Sequence, residues 1–173
     1  MPEISKKSIL KNAKKRVLSV DSHVTLEIIK ETGADAVFST RTPYSLLKKL
    51  PATDVFTCEG GSIYKNGELI SDTANYIRRE EHNIRNMLAA AALTDGLVTR
   101  ETLCRTFRSF DGLADRCELI LNRGNVRFYN SSIDTSPARC AVTLCALGQR
   151  VRLLLGGRGK GLPLEPLIEP IRK

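Results

Sequence analysis

The chain has 173 residues, 42% of them hydrophobic and 27% charged, the profile of a soluble globular protein of one ordinary domain or two small ones. Its 27 Lys and Arg against 19 Asp and Glu leave a formal charge of +8, but only 5% of residues are aromatic. That is few rings for base stacking, so solvated helix faces plus one anionic small-molecule site fit the charge better than a nucleic-acid groove. Five cysteines without a CxxC pair (Cys58, Cys104, Cys117, Cys140, Cys145) and only two histidines (His23, His82) argue against a disulfide framework, a zinc knuckle or a histidine-rich metal site.

Reduced, mostly buried thiols in a cytosolic protein are expected instead. The basic N-terminus lacks the apolar core of a signal peptide, and no apolar run reaches the roughly 18 residues of a membrane span.

In chain order, Ser8 to Lys15 carry a short basic, helix-compatible pattern. Arg16 to Val20 reads as a strand ended by Asp21-Ser22, and Val24 to Glu31 as a helix stopped by Gly33. Ala36 to Thr40 looks like the next strand. Val55 to Ile70 is β-like, with Asn66-Gly67 as a hairpin turn because both turn positions need positive φ. An Ala- and Leu-rich helix follows from Ile84 to Thr94, with Asn83 as N-cap and Gly96 as stop. A second helix spans Arg100 to Phe110 with Thr99 as cap. Leu103, Phe107 and Phe110 fall at helical spacing on its core side. The short loop between these two helices predicts that they pack together.

After Asp111-Gly112 the pattern changes, and a domain boundary is expected near Gly112 to Arg116. Cys117 to Leu121 and Val126 to Asn130 read as strands. A polar turn, Ser131 to Ser136, precedes Pro137, which suits the first turn of a helix running to about Leu147. Val151 to Leu155 reads as a strand buried in a parallel sheet, closed by Gly156-Gly157-Arg158-Gly159-Lys160. The fold class is therefore α/β, with the opening of a βαβ unit at the back.

Four stretches can carry chemistry. His82, Asn83 and Asn86 stand at a helix entrance, where free N–H groups attract anions and a carboxamide can meet an adenine edge; simple capping by Asn83 is the plainer alternative. Arg116 follows Phe110-Asp111-Gly112-Leu113 at the boundary, either as a phosphate clamp or as an exposed hinge arginine. Tyr129 to Pro137 place Ser131, Ser132 and Thr135 at a strand end before a helix, as a ligand turn or a polar cap. The glycines before Lys160 let backbone amides approach an anion, or make a tight turn with an exposed lysine. This is not a Walker A loop, because the spacing is short and Gly161 follows the lysine.

Together, H-N-x-x-N on an Ala-rich helix, F-x-G-L-x-x-R, Y-N-x-S-x-x-T-S-P and L-L-G-G-x-x-K resemble the Mur ligase family, in particular its D-glutamate-adding branch. The likeness is firmest from Glu81 to Ile168 and looser from Ser8 to Ser71. It implies that residues 1–112 are the rear of a central ATPase domain and residues 113–173 the start of a Rossmann-like C-terminal domain. In the family these domains close over ATP and Mg²⁺. ATP phosphorylates the carboxylate of UDP-N-acetylmuramoyl-L-alanine, and the D-glutamate amine attacks the acyl phosphate.

By that resemblance His82, Asn83, Asn86, Arg116 and Ser131 fall on the ATP side, and Ser132, Thr135 and Lys160 on the D-glutamate side. A dianionic amino acid needs a fixed cation, which Lys160 supplies. Two residues depart from the pattern: Asp115 replaces the usual histidine before the arginine, and Ser131 replaces an aspartate. An acid beside Arg116 is expected to compete with phosphate for it. No P-loop, metal-organising segment or UDP-sugar domain is recognisable, so the chain is expected to be inactive alone and to need a missing front half as partner. The alternatives are a non-catalytic Mur-like module and a basic nucleic-acid-binding protein.

Overall fold

Five strands pair in their order along the chain. They are β1 (Val17–Ser19), β2 (Ala34–Ser39), β3 (Ala52–Glu59), β4 (Ser62–Lys65) and β5 (Glu68–Asp72). This arrangement comes from a computed structural model, which describes residues 10–172 and divides into two units, one ending at Asp111 and one beginning at Gly112. In the first unit β1, β2 and β3 are parallel, and β3, β4 and β5 are antiparallel. Parallel neighbours need crossovers, and α1 (His23–Thr32) and the short α2 (Tyr44–Leu47) supply them. The α2 turn had no counterpart in the sequence reading.

The strands alternate faces. Ala36, Phe38 and Phe56 join Ile63 and the apolar side of α3 (Glu81–Thr94), namely Ile84, Met87, Leu88, Ala91 and Ala92. Val37 and Val55 face the other way, onto Ile29 of α1 and Leu47 of α2. Burial on both faces explains the near-continuous apolar run of β2. Helix α4 (Arg100–Ser109) adds Phe107 to the first cluster, with Leu103 and Phe110 packed against it, so α3 and α4 contribute to one core. The Phe107 and Tyr76 rings meet edge to face at 6.0 Å.

The predicted turns hold where a local signal existed. Asn66 and Gly67 take φ of 52° and 85°, as a hairpin of this kind requires. A second tight turn, Gly60-Gly61 with φ of 56° and 77°, joins β3 to β4 and was not anticipated. Gly33 ends α1, its N–H donating to the Ile29 carbonyl at 2.8 Å. The Thr99 hydroxyl caps α4 by accepting from the Thr102 N–H at 3.2 Å.

Two expectations for the first unit need correction. Asn83 is not the N-cap of α3. The helix begins at Glu81, so Asn83 lies inside its first turn, where its side chain donates to Glu80 Oε2 at 2.8 Å. The helical pattern expected over Ser8 to Lys15 falls partly outside the described residues, and Lys11–Lys15 form turns and irregular backbone.

The second unit contains the antiparallel pair β6 (Glu118–Arg123) and β7 (Val126–Asn130), then α5 (Pro137–Leu147), a 3₁₀ turn (Glu165–Leu167) and α6 (Ile168–Arg172). Pro137 does open α5, and Gly148 closes it in the left-handed conformation. Val151 to Leu155 does not form the expected buried strand. The segment has no ladder partner among the described residues, and Leu154 is 97% exposed. A strand exists only through pairing, and β6 and β7 pair with each other alone.

Of the five cysteines only Cys140 is buried; Cys58, Cys104 and Cys117 are half-buried and Cys145 is exposed. Among the described residues no helix is long and apolar enough to cross a membrane.

Candidate functional site

The carboxyl ends of parallel strands are where open α/β sheets bind ligands, and polar residues gather at the ends of β1 and β2. Ser39, fully buried, closes β2. Its Oγ donates to Asp21 Oδ1 at 2.6 Å and accepts the backbone N–H groups of Arg41 at 3.0 Å and Thr42 at 2.9 Å. The Asp21 N–H in turn donates to Ser19 Oγ at 3.2 Å. One hydroxyl thus ties the two strand exits together and fixes the aspartate. Asp21 Oδ2 is buried and, among the described residues, has no hydrogen-bond partner. Beside it is a cavity of about 280 Å³, lined by Ser19, Asp21, Ser22, Phe38, Arg85 and Asn86. The last two come from α3, which packs across β1, β2 and β3.

The entrance of α3 is an ion-paired collar. Arg41 Nε donates to Glu81 Oε1 at 2.6 Å, and Thr40 Oγ1 donates to the same oxygen at 3.3 Å. The Arg41 hydrogen bond holds the Glu81 carboxyl below the usual carboxylate range. At Glu80, burial pushes the carboxyl up, but the Asn83 amide, its own backbone N–H and the charge of Arg78 outweigh this and leave it lowered.

A lowered folded-state pKa means that the Glu81 contribution is present above the ordinary carboxylate pKa of about 4.3 and is lost as pH falls through the lowered value. In Arg41→Ala the Glu81 titration midpoint, followed by carboxyl-carbon NMR, should rise toward that ordinary value. An unchanged midpoint would show that Arg41 does not set it.

Of the residues singled out from the sequence, His82, Asn83 and Asn86 share α3. Only Asn86 reaches the cavity, because Asn83 is engaged with Glu80. Asp21 and Arg85 line the same cavity and were not singled out. Asp21 read only as a strand stop, and Arg85 as a spacer between the two asparagines.

In the second unit Ser131 is a structural knot. Its Oγ donates to Asp134 Oδ2 at 2.7 Å and accepts the Cys117 N–H at 3.1 Å, while Thr143 Oγ1 donates to the same Asp134 oxygen at 2.6 Å. Ser132 and Thr135 stand exposed on this turn. Their N–H groups donate to Asn130 Oδ1 at 3.0 Å and to the Ile133 carbonyl at 2.8 Å. Lys160 is exposed in the glycine-rich loop.

Asp115 is engaged locally rather than with Arg116. Its carboxylate accepts from Asn130 Nδ2 at 2.7 Å, and among the described residues it makes no ion pair with the exposed Arg116. The backbone at Asp115 is left-handed, φ 59°. Among the described residues no group of three or more His, Cys, Asp or Glu side chains could hold a metal ion.

No family model matches the chain. It is similar to proteins named UDP-N-acetylmuramoylalanine–D-glutamate ligase. That of Ruminiclostridium cellulolyticum is 33% identical over an alignment 167 residues long that covers 91% of this chain and 33% of the relative. That of Clostridium perfringens is 30% identical over an alignment of the same length that covers 94% of this chain and 35% of the relative. That of Alcanivorax borkumensis is 32% identical over 120 residues, 66% of this chain and 27% of the relative. The chain spans about a third of the length of the curated relatives it matches.

Proposed function

This chain is related in sequence to the Mur ligases, and from that premise we propose that it forms the rear part of an ATP-dependent ligase joining D-glutamate to UDP-N-acetylmuramoyl-L-alanine in peptidoglycan synthesis. The observation that carries the reading is an alignment 167 residues long running through both units, with one of its motif asparagines, Asn86, lining a cavity at the strand ends. Residues 1–112 then belong to the central ATPase domain and residues 113–173 to the C-terminal Rossmann-like domain. The setting is the cytoplasm.

In the reaction a substrate carboxylate takes the terminal phosphoryl group of ATP, and the D-glutamate amine displaces phosphate to give an amide and ADP. His82, Asn83 and Asn86 are assigned to the adenine side and Arg116 to the phosphates. Ser131 shapes the turn next to them. Ser132, Thr135 and Lys160 are assigned to the carboxylates of D-glutamate, where a fixed ammonium offsets the dianion. Phosphoryl transfer rests on positioning and charge stabilisation by a P-loop and Mg²⁺. These 173 residues contain no GxxxxGK[ST] loop, so turnover needs a front half as partner, supplying that loop, the Mg²⁺ ligands and the UDP-sugar site.

Calorimetric titration with ATP–Mg²⁺ and, separately, with D-glutamate tests the assignment. Binding in the millimolar range or tighter is expected, with Asn86→Ala removing the first and Lys160→Ala the second. A well-folded sample that binds neither ligand would overturn it. A second reading, a non-catalytic module that kept the fold, is favoured by the Ser131–Asp134 knot in place of the expected aspartate. Ligation restored by adding the front half would sink that reading.

A further inference from the structure

We propose that the groove between α4 and the edge strand β5 is a docking surface for an acidic, extended segment of a partner protein. The proposal lies wholly within the first unit and is independent of the nucleotide reading above. β5 stands last in the order of the sheet, so one of its sides has no strand neighbour. An open groove of about 890 Å³ runs there, lined by half-buried Ile70 and Cys104 and by exposed Arg100, Arg105 and Arg108. Glu101 is the single acid among the described residues that line it, so the groove is basic. Among the described residues none of the three arginines makes an ion pair, whereas Arg16, Arg41 and Arg78 of the same unit each face an acid.

The local geometry selects the kind of partner. Ile70 is the extra residue of a bulge, since Ser71 pairs with Ile63 and Leu69 with Tyr64. Its carbonyl accepts Arg100 Nε at 2.9 Å and Cys104 Sγ at 3.5 Å. That occupied acceptor blocks the addition of another strand at this point of the edge, so recognition falls to side chains. The same bond orients Arg100, whose terminal nitrogens keep the paired donors that match a carboxylate. Arg100 and Arg108 stand about 12 Å apart along the helix axis, with Arg105 between them. A single small anion covers a fraction of that length, whereas about four extended residues span it. Among the described residues no aromatic ring lines the groove, which removes the stacking platform that a single-stranded nucleic acid uses. Glu101 also opposes an unbroken row of phosphates.

Titration of fluorescein-labelled hexaglutamate with the full chain at low salt, followed by fluorescence anisotropy, tests the proposal. The wild type should bind the peptide. The groove variant Arg100→Gln/Arg105→Gln/Arg108→Gln should bind about tenfold more weakly, the scale of three exposed charge pairs of modest strength. A control variant, Arg123→Gln/Arg139→Gln/Arg150→Gln, removes the same charge from exposed positions outside the groove and should stay within about twofold of the wild type. Equal weakening in the two variants would mean that overall charge attracts the peptide, and would overturn the proposal. So would a folded wild type that does not bind hexaglutamate. Tighter binding of a labelled oligothymidylate, lost in the groove variant, would assign the groove to nucleic acid and overturn it as well. Circular dichroism confirms folding. If the groove variant does not fold, Arg105→Gln/Arg108→Gln, which keeps the Arg100–Ile70 bond, takes its place against Arg123→Gln/Arg139→Gln.

Discussion

Replacing Phe56 by alanine is expected to lower the unfolding free energy of the first unit by about 3–5 kcal/mol. Phe56 is 1% exposed at the middle of β3, opposite Phe38 of β2 on one side and Lys65 of β4 on the other. Its ring is part of the cluster that seats α3 on the sheet. It also carries a charge overhead: Lys65 Nζ lies 5.9 Å from the ring centroid and is anchored to Asp95 Oδ2 at 2.6 Å. Truncation therefore removes a buried ring, leaves a void between sheet and helix, and strips a cation of its aromatic face. Domains of this size hold about 5–15 kcal/mol in total, so the loss is a large share. Urea unfolding followed by far-UV circular dichroism measures it, since the chain has no tryptophan to report by fluorescence. A loss below about 1 kcal/mol, the scale of an ordinary surface change, would show that Phe56 is not central to the core.

Gly33→Ala should cost about 1–3 kcal/mol by a different route. Gly33 sits at φ 67° and ψ 177°, a region almost closed to residues with a Cβ. An added methyl would also meet the Pro51 carbonyl oxygen at 3.1 Å. That oxygen accepts the Ala34 N–H at 2.9 Å, so it cannot move without loosening the start of β2. Gly60→Ala is the control. Gly60 also has positive φ, 56°, but open space around its missing Cβ. Equal losses in the two variants would mean that the contact with Pro51 contributes nothing.

The features readable from sequence are those whose cause lies within a few residues. Gly33, Asn66-Gly67, Thr99 and Pro137 each impose a conformation or satisfy an orphan group locally, and each was placed correctly. The Ala-rich helix was clear from propensity. Its first residue was not, because an acidic pair at Glu80 and Glu81, held by Asn83 and Arg41, precedes the expected cap. Helix α2 is too short to show a period.

Val151 to Leu155 carries the composition of a strand, but pairing is a property of two segments and cannot be read from one. The candidate site divides the same way. Asn86 belongs to a recognisable motif, whereas Asp21 gains its meaning only when the parallel register brings the end of β1 beside Ser39.

The sheet of the first unit has a consequence for how quickly it can form. Every strand pairs with the one made just before it, so no step waits for a distant segment to close a long loop. The hairpins of β3, β4 and β5 form on the microsecond scale, and the parallel pairs β1–β2 and β2–β3 are slower because each waits for its crossover. The late event is the arrival of α3 on the far earlier β1, β2 and β3. A chain emerging from a ribosome could therefore zip the sheet strand by strand, while the apolar face that α3 will cover stays open until that helix has been synthesised.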